Sequence, residues 1–110
     1  MRHALAIVFL TATLIVDPPV AGAFRTIGEG GSSCGTWTAE RHSTSRGRFG
    51  VESWILGFLS GIGYVGDNGD DPLKGMDADG VQAWIDNYCQ NHPIDHIMDA
   101  ARAFYLVHPH

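Results

Sequence analysis

The chain has 110 residues, 7 Lys/Arg against 12 Asp/Glu and a formal net charge of −5 at pH 7, and 45% of it is hydrophobic. That acidic balance argues against nucleic acid and anionic membrane surfaces as partners, since both need clustered positive charge. A chain this short supports one domain, and domains of its size bury too little surface to be stable by a wide margin.

The first element is a leader. Met1-Arg2-His3 is a short basic start, residues 4–16 are uncharged and almost wholly apolar, and Ala21-Gly22-Ala23 is a small-residue cleavage pattern. The apolar run is shorter than the roughly 20 residues a membrane-spanning helix needs. Residues 1–23 are therefore expected to be a signal peptide. Its removal would leave an 87-residue protein with no membrane segment, exported to a periplasmic compartment. Two cysteines remain, Cys34 and Cys89, and an even pair in an exported chain reads as a disulfide. The closed loop holds about 55 residues, for which the chain-entropy relation gives ~4 kcal/mol. That is a large share of the total stability of a small domain.

Residues 24–33 are rich in Gly and Ser and read as a flexible lead, with a single helical domain over 34–107. Residues 36–42 (T-W-T-A-E-R-H) suit one or two helical turns with Trp37 inward, and residues 43–50 read as a loop. From Val51 the spacing of Val51, Ile55, Phe58 and Ile62 predicts a helix of about three turns, widened by Trp54 and Leu59. Gly57, Ser60 and Gly61 on that helix suggest close approach of another backbone, because each interior glycine otherwise costs about 1 kcal/mol. Residues 63–76 read as an acidic loop. Asp77 is placed as an N-cap of the next helix, whose inner face is Val81, Trp84, Ile85 and Tyr88, with Cys89 beside it. Pro93 is placed at the first position of a last helix whose apolar stripe is Ile94, Ile97, Met98, Ala101, Phe104 and Tyr105. The expected fold is all-α, with three principal helices after a short leading turn.

Four residues near the last helix, His92, Asp95, His96 and Asp99, follow i, i+3, i+4, i+7 spacing and could carry metal ligands on one face. A solvated helix face opposite the apolar stripe is the preferred explanation, because no cysteine or glutamate completes a specific pattern, and no metal or cofactor is expected. The acids Asp67, Asp70, Asp71, Asp77 and Asp79 do not match a calcium loop, because Pro72 falls where glycine is required. No serine lies in a nucleophile elbow, and paired cysteines leave no thiol, so the chain does not read as an enzyme.

The stretch Trp54 to Gly61 (W-I-L-G-F-L-S-G), the acidic loop and the segment Asp79 to Ala101 resemble the HdeA/HdeB family of small periplasmic acid-stress proteins. The likeness runs from about Cys34 to Phe104. It implies a helical fold, one disulfide, no cofactor, possible homodimerisation, and partial unfolding at low pH to hold acid-denatured client proteins. The candidate client or partner surface is Trp54, Phe58, Trp84 and Tyr88. The glycine-rich helix and Tyr88-Cys89-Gln90-Asn91-His92-Pro93 are also similar to Tai-type immunity proteins, which implies the alternative of a protein toxin, a cell-wall amidase, as partner. A metal-binding module is the third reading. In acid the carboxylates would be neutral and the histidines charged, and self-repulsion would loosen the domain. Any histidine buried in its neutral form would begin to withdraw stability near pH 6.

Overall fold

The computed structural model describes residues 13–14, 25–66 and 71–108. The expected signal peptide, apart from residues 13 and 14, and Asp67 and Asp70 of the acidic loop lie outside the described residues. Among the described residues the chain forms a 3-10 turn, Glu29–Gly31, and four α-helices: α1 Cys34–Arg41, α2 Arg46–Val65, α3 Ala78–Asn91 and α4 Ile97–Val107. They contain no strand, only one isolated antiparallel bridge between Ser33 and His96. This is the expected all-α fold, with α2, α3 and α4 as the principal helices and α1 as the short leading one.

One core serves all four helices. Trp37 from α1, Val51, Ile55 and Leu59 from α2, Val81 and Ile85 from α3, and Ile97, Ala100, Ala101 and Phe104 from α4 are buried around the Cys34–Cys89 disulfide. The bridge joins the first residue of α1 to the last turn of α3, with Cα atoms 4.7 Å apart and a sequence separation of 55. The predicted α2 face is present but turned: Leu59, expected at its edge, is fully buried, while Phe58 and Ile62 are half-buried.

Three expectations are corrected. First, α2 begins at Arg46, inside the segment read as a loop. The N-cap Ser45 makes no side-chain capping bond to the helix, and the Glu40 carboxylate of α1 stands beside its start. The Glu40 carboxylate accepts from the hydroxyls of Ser43 (3.1 Å) and Ser45 (2.8 Å), and a Cβ at Gly47 would collide with it. Negative charge placed there favours a helix N-terminus. Secondly, Pro93 does not start the last helix. Residues 93–96 instead run beside the start of α1, where Cys34 N–H donates to the Asp95 carbonyl (2.7 Å) and Gly35 N–H to the Pro93 carbonyl (3.0 Å), while Ile97 N–H donates to the Ser32 carbonyl (2.9 Å). These bonds satisfy first-turn amides that an isolated helix leaves unpaired. Ile94, expected in the apolar stripe, is consequently 89% exposed. Thirdly, Gly57 and Gly61 face solvent, with open space where a Cβ would stand, so no backbone packs against them. The close approach occurs at Gly30, which is buried under the Trp54 ring and has no room for a Cβ. Trp54 Nε1 donates to the Ile27 carbonyl (3.1 Å), so the Gly/Ser-rich stretch before α1 is pinned to α2.

The α3 start follows expectation: the Asp77 side chain accepts from Gly80 N–H at 2.8 Å. Val81 and Ile85 are buried on its inner face, with Trp84 and Tyr88 half-buried beside them.

Candidate functional site

Arg41 ties three helices together. Its Nε and Nη2 donate to Asp86 Oδ1 and Oδ2 on α3, both at 2.9 Å, a bidentate pairing, and its Nη1 donates to Glu52 on α2. Gln82 Oε1 accepts at 3.4 Å. Trp37 Nε1 donates to the same Asp86 Oδ1 at 2.7 Å, and Arg48 completes the cluster with a 2.8 Å bond to Glu52. The helical period explains the assembly: Trp37 and Arg41, Gln82 and Asp86, and Arg48 and Glu52 are each four residues apart, so each helix presents both members on one side.

The Arg41 and Glu52 side chains are only 17% and 16% exposed. Charges this sheltered interact more strongly than surface pairs. Burial by itself would push the Glu52 carboxyl up, but the hydrogen bonds and charges of Arg41 and Arg48 outweigh it and hold Glu52 below the usual carboxylate range. The Asp86 hydrogen bond, helped by Glu52 and opposed by burial, raises Arg41 further above its already high value.

The candidate partner residues form two separate aromatic pairs. Trp54 stacks on Phe58 along α2, centroids 5.1 Å apart, and Trp84 stacks on Tyr88 along α3 at 5.8 Å. All four side chains are half-buried. The α3 pair belongs to a longer array: His92 stacks on Tyr88 at 4.2 Å, Phe104 meets Trp84 edge-on at 5.3 Å, and His108 lies on Phe104 at 3.9 Å. Tyr88 donates its hydroxyl to Asp95 at 2.7 Å; that bond, with burial and the nearby charges of Asp95 and Asp99, pushes the phenol up to about 12.

His92, Asp95, His96 and Asp99 do not share a helix face. His92 is the C-cap of α3, Asp95 lies between the helices, and His96 is the N-cap of α4, with Asp99 in that helix's first turn. Among the described residues no three His, Cys, Asp or Glu side chains gather as a metal-ligand group. The described histidines are helix-end residues. The Nδ1 atoms of His42, His92 and His108 lie 3.1, 2.9 and 2.7 Å from the carbonyls of Thr38, Tyr88 and Phe104, each four residues earlier, near the C-termini of α1, α3 and α4. His42, His92 and His96 are exposed and His108 is half-buried, so none of the described histidines is enclosed in the core.

Sequence reasoning missed the Arg41 cluster. Its signal was available as matched i, i+4 polar pairs, but nothing local shows that three such pairs converge. A search of the chain against protein-family models, characterised proteins and solved structures finds no match.

Proposed function

We propose that this protein is an exported, non-enzymatic protein-binding domain of the HdeA-like acid-stress type, which acid converts from a packed bundle into a stapled, open form able to hold clients. The observation that carries this reading is the division of labour between two kinds of tie. The disulfide joins α1 to α3 and does not titrate, whereas the Arg41–Glu52 bond joins α1 to α2 and needs an ionised carboxylate.

Acid acts on these ties unequally. A group held below its ordinary value contributes stability that is complete above that value and is lost as pH falls through the lowered one. Glu52 therefore lends its contribution at neutral pH and withdraws it below the usual carboxylate range. Protonation removes the charged partner of Arg41 on α2 and leaves its bidentate pairing to Asp86 on α3. Helix α2 is then released, uncovering Val51, Ile55 and Leu59 together with Trp54 and Phe58, while α1 and α3 stay joined. A disulfide pairing also fits an oxidising, periplasmic compartment.

The test is light scattering of an acid-labile client at pH 2–3, with and without the protein at near-equimolar ratio. Suppression in acid and none at pH 7 is the expected result. A domain that stays packed at pH 2, or opens without protecting any client, contradicts it. Neutral-pH capture of a purified cell-wall amidase would replace it with the toxin-immunity reading.

A further inference from the structure

Residues 25–31 pack on the Trp54 ring yet give the core almost nothing. Their one large apolar side chain, Ile27, is 79% exposed, and the buried Gly30 has no side chain to contribute. Two glycines bracket the indole: a Cβ at Gly28 would stand 3.3 Å from Trp54 Cδ1, and one at Gly30 would collide with Cζ2 at the other end of the ring. Trp54 Nε1 donates to the Ile27 carbonyl, and the Thr26 hydroxyl donates to Met98 Sδ at 3.1 Å, a weak acceptor. The anchorage changes at Ser32, whose carbonyl accepts Ile97 N–H at 2.9 Å, and becomes covalent at Cys34.

A segment with few buried apolar contacts opens at low free energy. Release also returns backbone freedom, which is largest for glycine, and three of these seven residues are glycine. Gly28 holds φ 87° and ψ −156° in the closed arrangement, a conformation that is essentially glycine's alone. Opening leaves the disulfide and the buried core in place. It uncovers the Trp54 indole, with its N–H unpaired and Phe58 stacked beside it.

We propose that residues 25–31 are a displaceable strap that opens while the stapled helices stay folded and gates the Trp54 indole, which then takes a backbone carbonyl of a client polypeptide in place of that of Ile27. The client as occupant rests on the protein-binding reading; the opening does not.

Native-state hydrogen exchange of the disulfide-bonded protein at pH 7, followed by NMR, reads the opening at the Trp54 indole N–H and at Gly31 N–H, which donates to the Gly28 carbonyl. Relative to their intrinsic rates, both should exchange at least about 100-fold faster than the amides of Ile55 and Ile85, and should not respond to low urea that accelerates the core. Gly28→Ala strains only the closed strap and should raise the open fraction by about 5- to 150-fold. Gly31→Ala, with open space for its methyl group, should not raise it. Apparent affinity scales with the open fraction, so Gly28→Ala should bind reduced, carboxymethylated α-lactalbumin more tightly than the wild type by the same factor, with a shift of the Trp54 indole resonance. Indole exchange that occurs only with the core, or that Gly28→Ala leaves unchanged, overturns the strap. A rise in opening without a matching rise in affinity overturns the gate. Binding by neither protein at pH 7 or pH 3, with exchange as expected, overturns the protein-binding reading and the gate together while upholding the opening.

Discussion

Arg41→Met would test the Arg41 cluster, because it keeps an unbranched side chain and removes the guanidinium. It deletes the bidentate pair to Asp86 and the bond to Glu52. The Asp86 side chain is 39% exposed and recovers much of its hydration, so the loss there is discounted. Glu52 is sheltered but retains Arg48. With about 1.5–3 kcal/mol for a hydrogen bond to a charged group, and that discount applied, the expected loss at pH 7 is about 2–3 kcal/mol. For a domain of this size that corresponds to a fall in Tm of roughly 10–20 °C. The informative comparison is with acid. Protonation of Glu52 in acid removes its share of this difference and leaves the Asp86 pairing, so the difference between the two proteins should be smaller in acid than at pH 7. Urea unfolding followed by circular dichroism at both pH values measures this. A difference equally large at pH 7 and pH 3, or negligible at pH 7, would refute the assignment of Glu52 and Arg41 as the acid-sensitive tie.

Further outcomes follow from the same geometry. Gly30→Ala drives a methyl group into the Trp54 ring and should destabilise by about 1–3 kcal/mol, whereas Gly61→Ala on the open side of α2 should stabilise by up to about 1 kcal/mol; paired thermal melts decide both. Replacing Cys34 and Cys89 together by Ser should cost about 4 kcal/mol and leave the chain largely unfolded at 37 °C, read by near-ultraviolet circular dichroism. In a spectrophotometric titration one phenol should ionise near 12 and disappear in Tyr88→Phe. Because a raised value means the protonated phenol is favoured by the fold, its contribution is complete below about 10 and is lost as pH rises through about 12.

Much of the helical plan is written in local pattern. Val81, Ile85 and Cys89 follow the helical period behind an Asp77 cap, and all of that signal lies within one element. The start of α2 does not, since the Glu40 carboxylate that stands beside it belongs to α1 and the intervening serines look like loop. Pro93 was legible as a helix starter by type, yet the stretch forms a turn closed by Asp95 N–H to the His92 carbonyl, bonded to residues 32–35, and Ile94 is left exposed. The small residues of α2 suggested close packing, and composition alone could not tell their open side from a position such as Gly30, which the Trp54 ring covers. The two aromatic pairs were legible as residues, but not their separation, which depends on how the helices pack. The Arg41 cluster is a tertiary assembly of three helices whose local signals are each ordinary.

Residue-resolved amide hydrogen exchange, compared at pH 7 and near pH 3 on the disulfide-bonded protein, tests most directly whether acid frees one helix from a stapled pair. Protection at Val51, Ile55 and Leu59 in α2 should collapse in acid, while amides around Trp37 in α1 and Ile85 in α3 keep substantially more. Loss of protection in all helices together, or retention of it throughout α2, would contradict the account.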